Sequence, residues 1–329
     1  MSTNEQLSVL LSNLEARAAL AAARAAQEVG FRRVWIADTP HVDPAALGGA
    51  IASGTTLEVG TAVIGALHRT PAALATMVGT WARLAGDGRA MHLGLGATGA
   101  TIVEGWHGLR YERPAEAMGE TLAIVRQALA GERTSFAGSV LRSHGFRLQT
   151  GAVGSPVRVY LGALGPRMRA LAARETDGLI MSWATAGSVG AAAAQLARDG
   201  VGRAPRLIVR VYVDVGGDAA AVRAAVGEEL VQYVMSPPYA RMFGEMGFAE
   251  EVAAVHEAFA RGSRADTAAA TAGAMTDEFL LSGSPAEVRA RIDEYLSGGA
   301  DEVALQPVAA FRGGDPERTV RALGPRRSD

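Results

Sequence analysis

Short apolar runs alternate with amphipathic stretches along most of this chain. The runs are Leu7–Leu11, Arg33–Ala37, Leu57–Ile64, Ala90–Leu95, Val157–Leu161, Leu179–Trp183, Leu207–Val215 and Glu302–Gln306. Each is short and bounded by turn residues, which predicts a strand. Between them a helical period covers 14–29, 44–53, 71–85, 114–130, 166–176, 187–199, 218–235 and 285–298. Strand and helix in alternation imply parallel strands covered by helices. Eight such strands are the number that closes a (β/α)8 TIM barrel. The expected fold is therefore α/β, a single barrel domain over residues 1–329.

Helix starts support this register. Pro44, Pro71, Pro114, Pro166 and Pro285 each fall just inside a helical pattern, where the missing N–H costs nothing. Ser284 and Glu287 form a capping box, and Gly298 stands where a C-terminal cap belongs. A barrel of this type needs about 250 residues, so insertions are expected at 133–156, after the fourth helix, and at 236–283, before the last strand. The first reads as a loop or hairpin. The second reads as extra helices carrying Tyr239, Met242, Phe243, Met246, Phe248, His256 and Phe259, an exposed aromatic surface suited to a substrate lid or subunit contact, or else ordinary packing. Residues 312–329 read as a short helix and a frayed tail.

The segment 157–183 is the most informative. A β-branched run meets the small turn Gly162-Ala163-Leu164-Gly165, Pro166 opens a helix, and a second strand follows. Unpaired N–H groups and the positive helix end then point beyond the strand, a geometry that holds a phosphate. Gly94-Leu95-Gly96-Ala97-Thr98-Gly99 matches G-x-G-x-x-G, but residues 100–113 read as loop, so no helix begins within the motif as a dinucleotide fingerprint requires. A strand end kept bare for a flat ligand is the better reading. Thr61, Ala62 and Val63 would also leave room for a planar ring, but from this segment alone plain barrel core is the better reading.

Composition narrows the chemistry. The 329 residues are 49% hydrophobic and carry a formal charge of −2, which gives nucleic acid no basic field to follow. The absence of Cys excludes disulfides and thiolate chemistry. All 32 basic residues are Arg, which removes Schiff-base lysines and the P-loop lysine. The N-terminus lacks a signal-peptide pattern and no apolar stretch reaches membrane length, so a soluble, cytoplasmic protein is expected, with no membrane partner. The histidines show no metal-ligand spacing, and no metal is expected. His41, His68 and His107 follow the second, third and fourth strands, on the catalytic face of a barrel. Glu104-Gly105-Trp106-His107-Gly108 is a polar, aromatic loop long enough to reach over the barrel mouth.

Several of these segments together resemble the luciferase-like monooxygenase family: Gly30 to Asp38 its second strand, Val59 to Val63 its third, and His92 to Gly96 with Val103 to Gly108 and Glu112-Arg113-Pro114 its fourth unit. Leu161 to Met168, Asp177-Gly178 and Trp183 are similar to the fifth and sixth, and Ser284 to Val288 to the last helix. The branch most resembled uses the deazaflavin coenzyme F420. The resemblance implies a cis peptide at Ala62-Val63 backing the ring. It also implies a cofactor site of Asp38, Thr61, Ala62, Val63, Gly96, Ala97, Thr98, Gly162, Ala163, Leu164, Gly165, Pro166, Ser182 and Trp183.

The activity implied is hydride transfer between the deazaflavin C5 and a small or medium organic substrate, as in a reductase of C=C, C=N or C=O. The alternatives are an FMN-dependent monooxygenase and a barrel that binds a flavin-like ligand without catalysis. His41, Asp38, Glu104 and His107 are the candidates for moving a proton. Trp106, Tyr111, Tyr239 and Phe243 are candidate substrate contacts. Arg69, Arg110 and Arg113 are candidate contacts for the anionic tail of F420. A homodimer is implied by resemblance alone.

Overall fold

The computed structural model describes residues 3–86, 88–271 and 273–325. Eight parallel strands close a barrel: β1 (Leu7–Leu11), β2 (Arg33–Ile36), β3 (Glu58–Thr61), β5 (Met91–Gly96), β8 (Val157–Gly162), β9 (Gly178–Ser182), β10 (Arg206–Asp214) and β12 (Glu302–Pro307). β12 pairs with both β10 and β1, which completes the ring. The alternation of strand and helix was thus sufficient to place the fold.

Three local readings change. The third strand is not continuous: it breaks after Thr61 and resumes as β4 (Ile64–Gly65), paired to β5, with a cis peptide between Ala62 and Val63. Residues 100–113 are not all loop, because Ala100–Gly105 forms a short helix whose N-cap, Gly99, offers no side chain. That helix is too short for periodicity to reveal. The helix Pro285–Ser297 does end at Gly298, but the left-handed residue is the next one, Gly299.

The first insertion contains the hairpin β6 (Ser135–Ala137) and β7 (Arg142–His144). The second contains the helices Pro237–Phe243, Ala249–Ala260, Arg264–Thr271 and Ala274–Phe279, followed by the strand β11 (Leu280–Ser282). β11 was not foreseen. It pairs with residues 212–214 of β10, whereas β9 pairs with residues 206–210. Since β12 occupies the other side of β10, β9 and β11 share one edge in succession. The C-terminal tail begins as the helix Pro316–Ala322, and residues 326–329 of the expected frayed end lie outside the described residues.

Side-chain alternation sorts the strands into two layers. Val9, Val34, Val59, Leu93, Leu161, Val209 and Leu305 face the helices, while Leu10, Trp35, Tyr160, Ile180, Ile208 and Ala304 fill the barrel. Each fully buried aliphatic side chain contributes roughly 1.5–3 kcal/mol. At the N-terminal end the interior is charged. Arg33 bonds Glu58 at 2.6 Å and also pairs with Glu302, and His92 Nε2 lies 3.0 Å from Glu58. The five expected Pro-led helix starts and the Ser284–Glu287 capping box are present. Among the described residues no helix is long and apolar enough to cross a membrane.

Candidate active site

The C-terminal mouth is organised by the break between β3 and β4. Ala62 N–H still donates to Ile36 O at 2.9 Å, and Asp38 N–H donates to Val63 O at 3.2 Å. The Asp38 carboxylate reaches past the break and accepts from Gly65 N–H at 3.2 Å. Thr61 anchors the other side, its hydroxyl donating to Gly94 O at 2.8 Å and accepting from Gly94 N–H at 3.0 Å.

The glycines at the strand ends have a specific reason to be there. A Cβ on Gly96 would lie 2.5 Å from Val63 Cγ2, and one on Gly162 would lie 3.0 Å from Val63 Cγ1. Val63 therefore extends across the ends of β5 and β8. At Gly94 a Cβ would lie 2.0 Å from Thr61 O. The strand ends are bare so that the kinked segment fits against them.

Past Gly162 the chain turns through Ala163, Leu164 and Gly165 into the helix Pro166–Glu175, whose N-cap Gly165 provides no capping side chain. Proline at the first position leaves the N–H groups behind it as the donors of this end. On the adjacent strand, Ser182 ends β9, and Trp183 follows in a left-handed conformation, φ 56°. Trp183 is buried beneath the second insertion. Its ring lies 4.7 Å from Tyr212, 5.1 Å from Tyr233 and 5.6 Å from Phe279 between centroids.

The proposed proton carriers are spread over the rim. Asp38 is held by Arg69, at 3.0 and 3.2 Å, and by His68 Nε2 at 3.1 Å. Burial pushes its carboxyl up, but the Arg69 and His68 hydrogen bonds outweigh that and hold it below the ordinary aspartate value. As a fixed carboxylate it organises the rim. His41 is exposed and stacks on Phe311, 5.9 Å between centroids. His107 stacks on His68 at 4.3 Å, the rings 5° from parallel. Exposed Glu104 accepts from Tyr111 N–H at 3.2 Å, and Tyr111 OH donates to Thr98 O at 3.2 Å. His68, His107 and Asp38 thus come together, while His41 turns instead to the segment after β12.

Trp106 is 62% exposed at the rim. Of the two readings of 236–283, ordinary packing is the one that Met242 and Phe243 follow. Phe243 is fully buried, Met242 nearly so, and both pack with Trp183, Tyr212, Val226 and Leu230 in a second core; Phe259 and His256 are exposed. The dense apolar spacing there reflected packing onto the barrel. Of the three arginines expected near an anionic tail, Arg69 is bound to Asp38 and Asp43, exposed Arg110 lies 3.7 Å from Glu112, and Arg113 pairs with Glu116.

One cluster was missed by sequence reasoning. Inside the mouth, Arg210 donates to Gln306 at 2.5 Å and to the Tyr212 hydroxyl, Tyr212 donates to Glu229 at 2.5 Å, and Asn13 donates to Glu229 at 3.1 Å. The signal was available in parity. Arg210 and Tyr212 share the inward face of β10 with Ile208, and an inward Arg in a strand demands partners. The mouth is therefore two-sided, with small residues along β3, β5 and β8 and a buried polar chain along β10, β12 and the end of β1.

The comparisons with known proteins agree with this architecture. The sequence profile of the luciferase-like monooxygenase family matches residues 1–302. The chain is 27% identical to the 5,10-methylenetetrahydromethanopterin reductase of Archaeoglobus fulgidus over 314 residues, covering 91% of each protein. The coenzyme F420-dependent tetrahydromethanopterin reductase of Methanopyrus kandleri superposes with a TM-score of 0.81, at 20% identity and over 97% of both chains. An F420-dependent secondary alcohol dehydrogenase holding an F420–acetone adduct superposes with a TM-score of 0.71, at 18% identity, over 98% of this chain and 99% of that one.

Proposed function

The chain is an enzyme of the luciferase-like monooxygenase family, and from that premise we propose that it is an F420-dependent oxidoreductase moving a hydride between the deazaflavin and a small or medium organic substrate, as in the reduction of C=C, C=N or C=O. The observation that carries the reading is the joint geometry of Val63 and the 162–166 turn. A branched aliphatic side chain lies across two strand ends, and an uncapped helix start stands beside it. That pairing suits a ligand with a flat heterocycle at one end and a phosphate at the other.

The residues present fit such a group. Ala62, Val63, Gly96, Ala97 and Thr98 would back the ring. Gly162, Ala163, Leu164, Gly165 and Pro166 would form the phosphate cradle, where the helix end adds only about 0.3–1 kcal/mol and backbone N–H donors provide the specificity. Buried Trp183 has an indole N–H without a protein partner among the described residues, a further donor on the wall of Ser182. When bound, the deazaflavin supplies a two-electron hydride carrier that does not activate oxygen usefully. The protein orients it and excludes water. The second core seals one side of the mouth, and Asp38 holds the Ala62-Val63 segment in place. His41, His107 and Glu104 stand on the rim as candidates to pass a proton, with Trp106 and Tyr111 beside them as substrate contacts.

Titration of the purified protein with F420 and, separately, with FMN tests the reading. Saturable quenching of F420 fluorescence is expected. Micromolar FMN binding without F420 binding would assign the protein to the flavin monooxygenases instead.

A further inference from the structure

His68 is the one rim histidine whose ring is almost wholly enclosed, its side chain 9% exposed. Its two ring nitrogens have different fates. Nε2 lies 3.1 Å from Asp38 Oδ2. That carboxylate also accepts from Arg69 and from Gly65 N–H, so it is an acceptor only, and the hydrogen between it and His68 belongs to the ring. In the neutral ring Nδ1 then keeps its lone pair. Nδ1 is buried and has no hydrogen-bond partner among the described residues. A buried acceptor without a donor is costly.

The position of the ring gives that lone pair a use. A Cβ on Gly65 would lie 1.8 Å from His68 Cε1 and 2.5 Å from Nδ1, so the imidazole occupies the space a side chain would take at Gly65. Gly65 is in register with Gly96, and residues in register across paired strands face the same side of the sheet. On that same side Val63 meets Gly96. The ring therefore stands at the edge of the Val63 surface, with only exposed His107 stacked on it from outside. No side-chain hydrogen bond among the described residues ties His107 down, and its ring contact is the stack on His68.

We infer that His68 is a ligand-facing residue of this mouth, its Nδ1 accepting a hydrogen bond from an N–H or O–H of the bound ring system or of the substrate. Asp38 is the positioning residue, which fixes the tautomer. The inference rests on the reading that the mouth holds a deazaflavin-like ligand and its substrate.

Nitrogen-15 NMR of the intact protein tests it, with the His68 signals identified by their loss in His68→Gln. The expected pattern is a protonated Nε2 and an unprotonated Nδ1; a protonated Nδ1 in the neutral ring overturns the inference. F420 is then added alone, followed by propan-2-ol as a hydroxyl probe. A shift of Nδ1 with F420 alone assigns the donor to the ring system, and a shift only after the alcohol assigns it to the substrate. If fluorescence shows F420 bound and neither addition moves Nδ1, the inference fails while the cofactor reading stands. If F420 does not bind, the cofactor reading fails. FMN, whose ring carries the same pyrimidine N–H, then judges His68 by the same criterion.

Two variants separate ligand binding from scaffolding. Asparagine places an acceptor near the δ position, whereas glutamine reaches only the ε position and Asp38. For whichever ligand moves Nδ1, Kd is expected to rise about tenfold in His68→Gln and to stay within about twofold in His68→Asn. A loss in His68→Asn that His68→Gln escapes would make His68 a clamp for Asp38 and nothing more; equal losses in both would reduce the ring to a packing role, and no loss in either would remove it from the site.

Discussion

At the N-terminal end of the barrel Arg33, Glu58, His92 and Glu302 close on one another, and Trp35 N–H adds a bond to Glu302 at 2.8 Å. At the C-terminal end the charged groups are drawn to the sides. Asp38 and Arg69 stand on one rim, Arg210 and Glu229 are tied into the opposite wall, and small residues lie between. Both ends bury polar groups, yet one turns its charges inward to finish a core and the other turns them aside to leave a surface. The contrast separates residues that hold the barrel from residues left to line the mouth.

Arg33→Met should break the closed end most severely. It leaves two buried carboxylates without their shared guanidinium, an expected loss of about 3–5 kcal/mol. Urea unfolding would measure it, and F420 affinity of the folded fraction should barely change. A loss below about 1 kcal/mol would mean that this end is not a stability element.

Gly96→Ala acts on the open end. The new methyl cannot coexist with Val63 as placed, so Val63 must shift. F420 affinity is expected to fall about tenfold, about 1.4 kcal/mol, with a small change in the urea midpoint. An unaltered Kd would show that Val63 is not the ring-backing surface.

The smallest effect is in acid. Burial, reinforced by Arg33, lowers the His92 imidazole from 6.5 to about 3. The unfolded chain therefore takes up a proton near pH 6.5 that the folded chain refuses until about pH 3, and stability is lost as pH falls through that window. Between about pH 6.5 and 5.5 the loss from this group is about 1 kcal/mol. Glu58, held below the ordinary carboxylate range despite burial by His92 and Arg33, adds a loss of the same sign only below its unfolded value of 4.5. His92→Gln should flatten the upper part of the profile, and an unchanged slope would show that His92 titrates normally.

The barrel was legible because strand and helix periodicity extend over whole segments. The proline-led helix starts were legible because each is a local event. The break at Ala62-Val63 came from resemblance; nothing in the spacing of Thr61 to Gly65 announces that a strand stops and resumes. The use of Gly96 and Gly162 was half legible. Their smallness was plain, but the side chain that needs it, Val63, comes from another strand. Arg210, Gln306, Glu229 and Asn13 were missed because they lie far apart along the chain and join only when the barrel closes. The burial of Phe243 stood as one of two open readings for the same reason, since its partners Trp183 and Phe279 belong to distant segments.

The split edge of β10 has a consequence for how such a protein diversifies. Its lower half is stitched to β9 and its upper half to β11, so the long excursion between them re-enters the wall at a fixed seam. Anything grafted between residue 235 and residue 279 inherits that anchorage, provided Leu280–Ser282 and the helix that carries Glu229 are retained. The roof of the chamber can be exchanged like a cartridge while the foundations stay in place.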